Sequence, residues 1–568
     1  MMKTNRYKAF IQTLTMALLT IALTVVAAAQ TPTANSSPAP QTKTPLGVQP
    51  STLLQVMPNQ LTGVDGDKVV RLTLRDAILA ALQKNPDIEV ARQNVRLAQY
   101  DILAAQGFYD PLASSTLNYN SQKTPNLSQF SGSSENFLQN NVLTYNFGYS
   151  QPVERTGGNY QISFNNARIT SNTSSLATSY APALTATLTQ PLMRNFATDT
   201  NRHVIQIAKK KLDLSDAQFR QQVIQIIATV ESAYWDLAFA IRSEEIQRDA
   251  LKLAEKQLSD NQEQVKAGTL AGLDAVNAAA QMETVRQQVF QAMQTVAQAQ
   301  DTLKSLTVQG PADELWVTDL LPVESFEMKP LTLPLPEALK LALANRPEVS
   351  QFALQKEMNE IDVTFFRNQT KPQVDLTASY ALTGVGGSVA FFPDSNGVLE
   401  PANVTPAFIG GYGTALGNLF KNSFPTWRVG VNVSLPLRNR TAQANLGGAL
   451  ETGQQLETQL RKQLQTIVAD VRSAYHAVET ARLSYGAARA AREYAEQQLT
   501  GEQEKFAVGL STTFLVLTRQ NDLSQARDSE VQTLTNYNKA LAALQLAISS
   551  TLTDNSIQIQ SGKDQPVR

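Results

Sequence analysis

The sequence predicts an α+β membrane protein, internally duplicated, in which alternating β-strands are joined to very long coiled-coil helices. Three observations carry this. The segment LRDAILAALQKNP at 74–86 returns as LPEALKLALANRP at 335–347, 261 residues later. Two helical stretches, one of them free of proline and glycine from Asp199 to Lys266, hold apolar residues at alternating steps of three and four. Between the helices the apolar period falls to two, which is the period of a strand with unlike faces.

The repeat is too long for a solenoid unit and marks a duplicated half-protein. The offset of 261 also carries Pro111 onto Pro372 and Tyr119 onto Tyr380. Further on, an offset of 241 carries Ser232-Ala-Tyr234 onto Ser473-Ala-Tyr475 and Gly268 onto Gly509. The 20 residues lost between the two offsets lie mainly in the strands, since Pro111 to Pro191 spans 80 positions and Pro372 to Pro436 spans 64.

The chain has 568 residues and a formal charge of -1, so no basic field for nucleic acid is present. With no cysteine and only His203 and His476, neither disulfides nor Cys/His zinc sites are expected. No nucleophile, base and orienting group come together in a motif, so no catalytic residue, cofactor or metal site is expected. The loop Gly411-Tyr-Gly413-Thr-Ala-Leu-Gly417 has the wrong spacing and context for phosphate binding.

Element by element, residues 1–29 read as a signal peptide: Lys3, Arg6 and Lys8, an apolar run, then Ala27-Ala28-Ala29. The alternative is an anchoring helix. No cysteine follows, so no lipid anchor is expected. Residues 30–70 read as a disordered Pro/Ser/Thr-rich leader. Residues 71–310 form the first repeat, 311–333 an inter-repeat segment, 334–551 the second repeat and 552–568 a flexible C-terminal tail. No later segment approaches the ~20 apolar residues of a spanning helix, so a membrane is to be crossed by strands.

The first coiled-coil seam is Phe219, Val223, Ile226, Val230, Ala233, Leu237 and Ala240. The second is Leu464, Ile467, Val471, Ala474, Val478, Ala481, Tyr485 and Ala488. Rods of about 65 residues reach on the order of 100 Å. Each turns at a glycine, Gly268 or Gly509, and a second long helix returns. Strand alternation is clearest where Val429, Val431, Val433 and Leu435 interleave with Arg428, Gly430, Asn432 and Ser434. The longer first half holds two extra alternating segments, Val142 to Pro152 and Asn159 to Ile169, which predicts four strands there and two in the second half. The same alternation would suit a hairpin outside the bilayer. Gly384 to Pro425 is expected to be a long external loop.

On these residues the chain resembles the TolC family of outer-membrane efflux proteins. The matching features are the repeated LTLRDAILAALQKNP and LPEALKLALANRP, the strand ends LTQPLMRN and SLPLRNR, and the helical SAYWDL and SAYHAV. The turns VKAGTLAGLDAVNAAAQ and FAVGLSTTFLVLTRQNDLSQA complete the pattern, over about Leu72 to Ser550. The resemblance implies a homotrimer: a trimeric outer-membrane β-barrel continuous with a long periplasmic α-helical coiled-coil barrel. It implies an exit channel in outer-membrane lipid, reaching into the periplasm. A periplasmic adaptor protein and a proton- or ATP-driven inner-membrane pump would be its partners, in tripartite efflux or type I secretion. A segment about Val308 to Leu333 and the C-terminal residues would form an equatorial band.

It also implies adaptor-docking tips at Ala267, Gly268, Thr269 and Leu270, and at Val508, Gly509, Leu510, Ser511 and Thr512. A left-handed glycine is equally what any tight αα turn needs. Leu515 and Thr518 fall where family members carry gating aspartate rings, and Asp274 matches an acidic gating position. Without those rings the gate is expected to be more hydrophobic or closed by other contacts. Asp274 also suits a helix N-terminus on dipole grounds alone. The rival from another class is a coiled-coil structural or adhesive envelope protein without channel activity.

Overall fold

The computed structural model describes residues 65–127, 136–324, 327–328, 330–393 and 398–563. The expected signal peptide lies outside them. The first repeat runs β1 (Asp65–Leu72), α1 (Leu74–Lys84), α2 (Pro86–Gln106), β2 (Leu112–Pro125), β3 (Phe137–Val153), β4 (Gly158–Asn165), β5 (Ala167–Ser171), β6 (Leu176–Tyr180) and β7 (Ala183–Pro191). The helices α3 (Thr200–Lys266) and α4 (Gly272–Thr307) follow, then β8 (Thr318–Pro322). The second repeat runs α5 (Leu335–Asn345), α6 (Pro347–Gln369), β9 (Gln373–Thr383), β10 (Gly386–Val389), β11 (Phe391–Pro393), β12 (Leu399–Pro401) and α7 (Tyr412–Phe420). It ends with β13 (Pro425–Ser434), α8 (Arg440–Ala507), α9 (Thr513–Ile548) and α10 (Thr551–Asp554).

The repeated opening motif folds alike in both halves. Ala77 and Ala81 are fully buried, and so are their counterparts Ala338 and Ala342. Asn85 caps α2 by accepting from the Asp87 N–H at 2.9 Å, with Pro86 in the first turn where its missing donor costs nothing. Its Nδ2 also donates to the Leu306 carbonyl at 3.0 Å, tying the start of the repeat to its end. The counterpart Arg346 offers no cap, yet its Nε donates at 2.8 Å to the Ala547 carbonyl, the equivalent of Leu306. The tie is kept while the side chain changes.

Both coiled-coil seams are real packing surfaces. Every predicted position of the first is buried, and those of the second are buried or half-buried. An 18-residue stretch of α3 has the mean hydropathy of a membrane span, but 56% of it is buried, as a core helix requires. The first core gathers Ala77, Ile78, Phe219, Val223, Ile227 and Leu237; the second gathers Ala338, Ala342, Ile467, Val471 and Val478.

Two expectations are corrected. The end of the expected disordered leader is ordered: residues 65–70 belong to β1, which pairs in parallel with β8 while Val70 and Leu72 pack on the first core. The C-terminal tail, expected to be flexible, is fastened through residue 563. Ile557 and Ile559 pack on the first core, because alternation in this short segment turns both to one side. Ser561 donates to Asp216, and Gln99 Nε2 donates to the carbonyls of Gly562 and Lys563. Lys563 pairs with Asp213 at 2.7 Å.

The main sheet is antiparallel throughout. Phe147↔Phe164 and Thr144↔Ala167 keep one register, so β4 and β5 form a single strand interrupted at Asn166. In the same way Leu184 pairs with Phe164 and Tyr180 with Arg168, joining β6 to β7, and β10 continues β9. The sheet is therefore six long strands in the order β2, β3, β4–β5, β6–β7, β9–β10, β13. That is four from the first half and two from the second, as the alternating segments predict. The Gly384–Pro425 connection is more structured than a loop. It holds the β11–β12 hairpin and α7, whose Ala415 backbone sits so close over Gly384 and Gly386 that a side chain there would collide with it.

Candidate functional site: the sheet faces and the hairpin tips

Residues directly opposite across strands share a face. One row runs Tyr149, Ile162, Ala186, Tyr380, Trp427, and the next runs Tyr160, Leu188, Ala378, Val429. The other face carries Ser150, Gln161, Thr187, Ser379 and Arg428 in the same strands. Apart from Leu112 at the foot of β2, the strongly exposed large apolar residues of this sheet all lie on the first face, up to Trp427 at 75%. A soluble sheet would cover such a face with a second layer. Here it is left open, which is the pattern of a barrel wall with lipid on one side and water on the other.

At the far end of the helices the two tips are copies in detail. Gly268 has φ +76° and Gly509 φ +77°, the left-handed region that glycine enters without steric cost. The Gly268 N–H donates to the Val265 carbonyl and the Thr269 N–H to that of Gln264, each at 3.0 Å. Gly509 to Phe506 and Leu510 to Lys505 repeat the pair at 3.0 and 2.8 Å. Both are helix ends of the Schellman type. Ala267 closes α3 in right-handed geometry, and Leu270 follows the turn half-buried. Thr512 caps α9, its hydroxyl accepting from Leu515 N–H at 3.4 Å, whereas Ala271 caps α4 with no side-chain bond.

The tips also differ one rung below the turn. Asn261 is fully buried and its Nδ2 reaches the Asp274 carbonyl at 3.5 Å. Its counterpart, 241 residues on, is Glu502, which accepts from the Ser511 hydroxyl. The Ser511 bond holds the Glu502 carboxyl below its ordinary range, with Lys505 assisting. A depressed carboxylate gives a contact present above the unfolded pKa and lost as pH falls through the folded one. Hydrogen exchange at 505–515 is therefore expected to rise on acidification through the carboxylate range. Ser511→Ala should raise exchange at neutral pH and flatten that pH dependence; an unchanged profile would show that the contact does not order the tip.

Asp274 and Leu515 occupy equivalent positions in the first turns of α4 and α9. Each protomer thus sets one carboxylate and one apolar side chain at the same level. Thr518 lies one turn further on and returns its hydroxyl to the Phe514 carbonyl at 2.8 Å. The hairpins are joined laterally within the third turn of each returning helix, where Gln281 donates to Asn521 at 3.0 Å. Further along, Lys539 binds Asp236 through both carboxylate oxygens at 2.7 and 2.8 Å.

Sequence reasoning missed Leu273 and Phe514. They are repeat equivalents, on the first turns of the returning helices, and both are exposed, Phe514 at 73%. With Val508 and Leu510, Phe514 gives the second tip an apolar cap, whereas Ala267 and Thr269 stand in the equivalent places beside Leu273 at the first. The available signal was an apolar residue at the solvent-side position of two matched turns. Among the described residues no three His, Cys, Asp or Glu side chains gather as metal ligands.

A wall with one apolar face, set on paired hairpins roughly 100 Å long, defines an outer-membrane channel protein with a periplasmic helical extension. The chain belongs to the outer membrane efflux protein family, whose model matches residues 77–308 and 338–550. It is an efflux channel of the outer membrane that extends into the periplasm. Among solved structures it is similar to the CmeC outer membrane channel of Campylobacter jejuni, with 16% identity, a TM-score of 0.60, and 86% of this chain and 90% of that one covered. A membrane protein from Pseudomonas aeruginosa gives 18% and 0.59, covering 84% and 93%. The outer membrane protein VceC of Vibrio cholerae gives 16% and 0.56, covering 84% and 95%. No curated protein matches.

Proposed function

We propose that the chain is the exit duct of a tripartite efflux or type I secretion system. It works as a homotrimer, accepting substrates from an inner-membrane pump through a periplasmic adaptor and releasing them outside. The observation that carries this is the sheet. Its apolar face suits lipid, its polar face suits a water-filled lumen, and its two edge strands, β2 and β13, have no second partner among the described residues. Open edges are not tolerated in lipid, and a six-stranded sheet is too narrow to close on itself around a lumen. Neighbouring copies supply the missing partners. The tips Ala267 to Leu270 and Val508 to Thr512 would meet the adaptor, and Asp274, Leu515 and Thr518 would set the width of the periplasmic entrance.

The duct is passive, and the energy comes from the pump. Purified trimer in planar bilayers is expected to conduct, with steps that change when the entrance residues are altered. A trimer that conducts under no voltage, pH or salt condition would favour the adhesive-spacer reading instead.

A further inference from the structure

The second half makes its wall from one hairpin, β9 paired along its length with β13. The repeat offset places β2 as the counterpart of β9, and the strand ends at Pro191 and Pro436 place β7 as the counterpart of β13. In the first half, however, β2 and β7 do not touch. A second hairpin, β3 with β4–β5, is inserted between them. We propose that this hairpin is part of the barrel wall, and that three protomers close an eighteen-stranded barrel, six strands from each, by pairing β2 of one copy with β13 of the next. This rests on the homotrimeric duct reading.

Three observations favour insertion into the wall over a hairpin held outside it. All fourteen residues of β2, Leu112 to Pro125, are paired to β3, so excluding the hairpin would break the whole ladder. On the other side β4 is paired to β7 from Asn159 to Asn165 and β5 to β6 from Arg168 to Thr170. The face pattern is also in phase. Tyr145, Phe147 and Tyr149, with Tyr160, Ile162 and Phe164, continue the apolar face of β7, β9 and β13; the division ends at β5, where Arg168 lies opposite Leu143 and Val142 opposite Ile169. Thr144, Asn146 and Ser150, with Gln161, Ser163 and Asn165, continue the polar one. An external hairpin would have no reason to keep both faces in register with a membrane wall.

The edges fit a second copy. With six strands alternating in direction, β2 and β13 run opposite ways, so β13 meets the neighbour's β2 antiparallel, as every other pair in the sheet is. Both edges carry the same division of faces, with Leu117 and Tyr119 on one and Trp427, Val429, Val431 and Val433 on the other directed to the apolar side. Barrel diameter grows roughly linearly with strand number. Three added hairpins therefore widen the mouth about 1.5-fold over a wall of four strands per protomer, into the class that leaves an aqueous channel.

The test is electron cryomicroscopy of the full chain purified in lipid nanodiscs, counting strands in the membrane section. The expected result is a trimer with eighteen strands and residues 137–171 inside the bilayer wall. A trimer with twelve strands and that hairpin outside would overturn the inference and leave the duct reading intact. Particles that are not trimeric, with no shared barrel, would overturn the duct reading itself.

Discussion

Arginine placed at Ala186 is expected to prevent recovery of assembled protein from the outer membrane, while arginine at the adjacent Thr187 leaves it near normal. Ala186 lies between Ile162 and Tyr380 on the apolar face, and Thr187 between Gln161 and Ser379 on the polar one. A charged side chain on the lipid face of a barrel costs about 2–4 kcal/mol near the bilayer midplane, and lumen substitutions mainly tune selectivity. Each trimer carries the change three times, so the penalty is roughly 6–12 kcal/mol for the assembly, which rivals the whole stability of a typical domain. A soluble sheet would treat both as surface changes within about 0.5 kcal/mol. Urea unfolding in liposomes and trimer yield both read the contrast. Equal tolerance of the two variants would mean that the apolar face does not meet lipid.

That contrast depends on strand register, and register was legible in the sequence wherever alternation was strong. Leu184, Ala186 and Leu188 against Thr185, Thr187 and Thr189 left one possible phase, since a slip of one residue exposes the wrong face everywhere. The helices were legible for a similar reason: the seam from Phe219 to Ala240 repeats without interruption, and its copy from Leu464 to Ala488 confirmed the period. What escaped notice lay where local pattern is short. The nine residues of α7 sit in a glycine-rich connection and are held by packing over Gly384 and Gly386, a tertiary effect invisible to periodicity. Ile557 and Ile559 are two apolar residues among polar ones, too few to predict docking until the groove beside Phe219 exists. The tie made by Asn85 and then by Arg346 is likewise hidden, because unlike side chains reach the same carbonyl position.

Beyond the tip residues that the sequence singles out, Phe514 adds an exposed aromatic ring beside Leu510, and this sets up the sharpest functional expectation. Substituting Leu510 and Phe514 together by aspartate is expected to abolish substrate efflux in cells while leaving trimer yield and bilayer conductance unchanged. Both side chains are exposed, Leu510 at 79%, and neither belongs to the packed contacts of Leu499, Val516 and Leu523 that hold the hairpin together. Burying a large apolar side chain contributes about 1.5–3 kcal/mol, so losing two from a docked tip weakens adaptor binding by at least roughly 100-fold. Alanine at the two glycines separates surface from turn geometry. Gly268 and Gly509 share the same φ to within a degree, and a side chain at either meets open space. Gly268→Ala and Gly509→Ala therefore carry the same left-handed cost of about 1–2 kcal/mol, and any difference in efflux between them reports which tip the adaptor grips. Adaptor pull-down from detergent extracts, run beside the efflux assay, checks the cause. If the Leu510 and Phe514 double variant still binds adaptor at the wild-type level, the apolar cap of the second tip is not the docking surface.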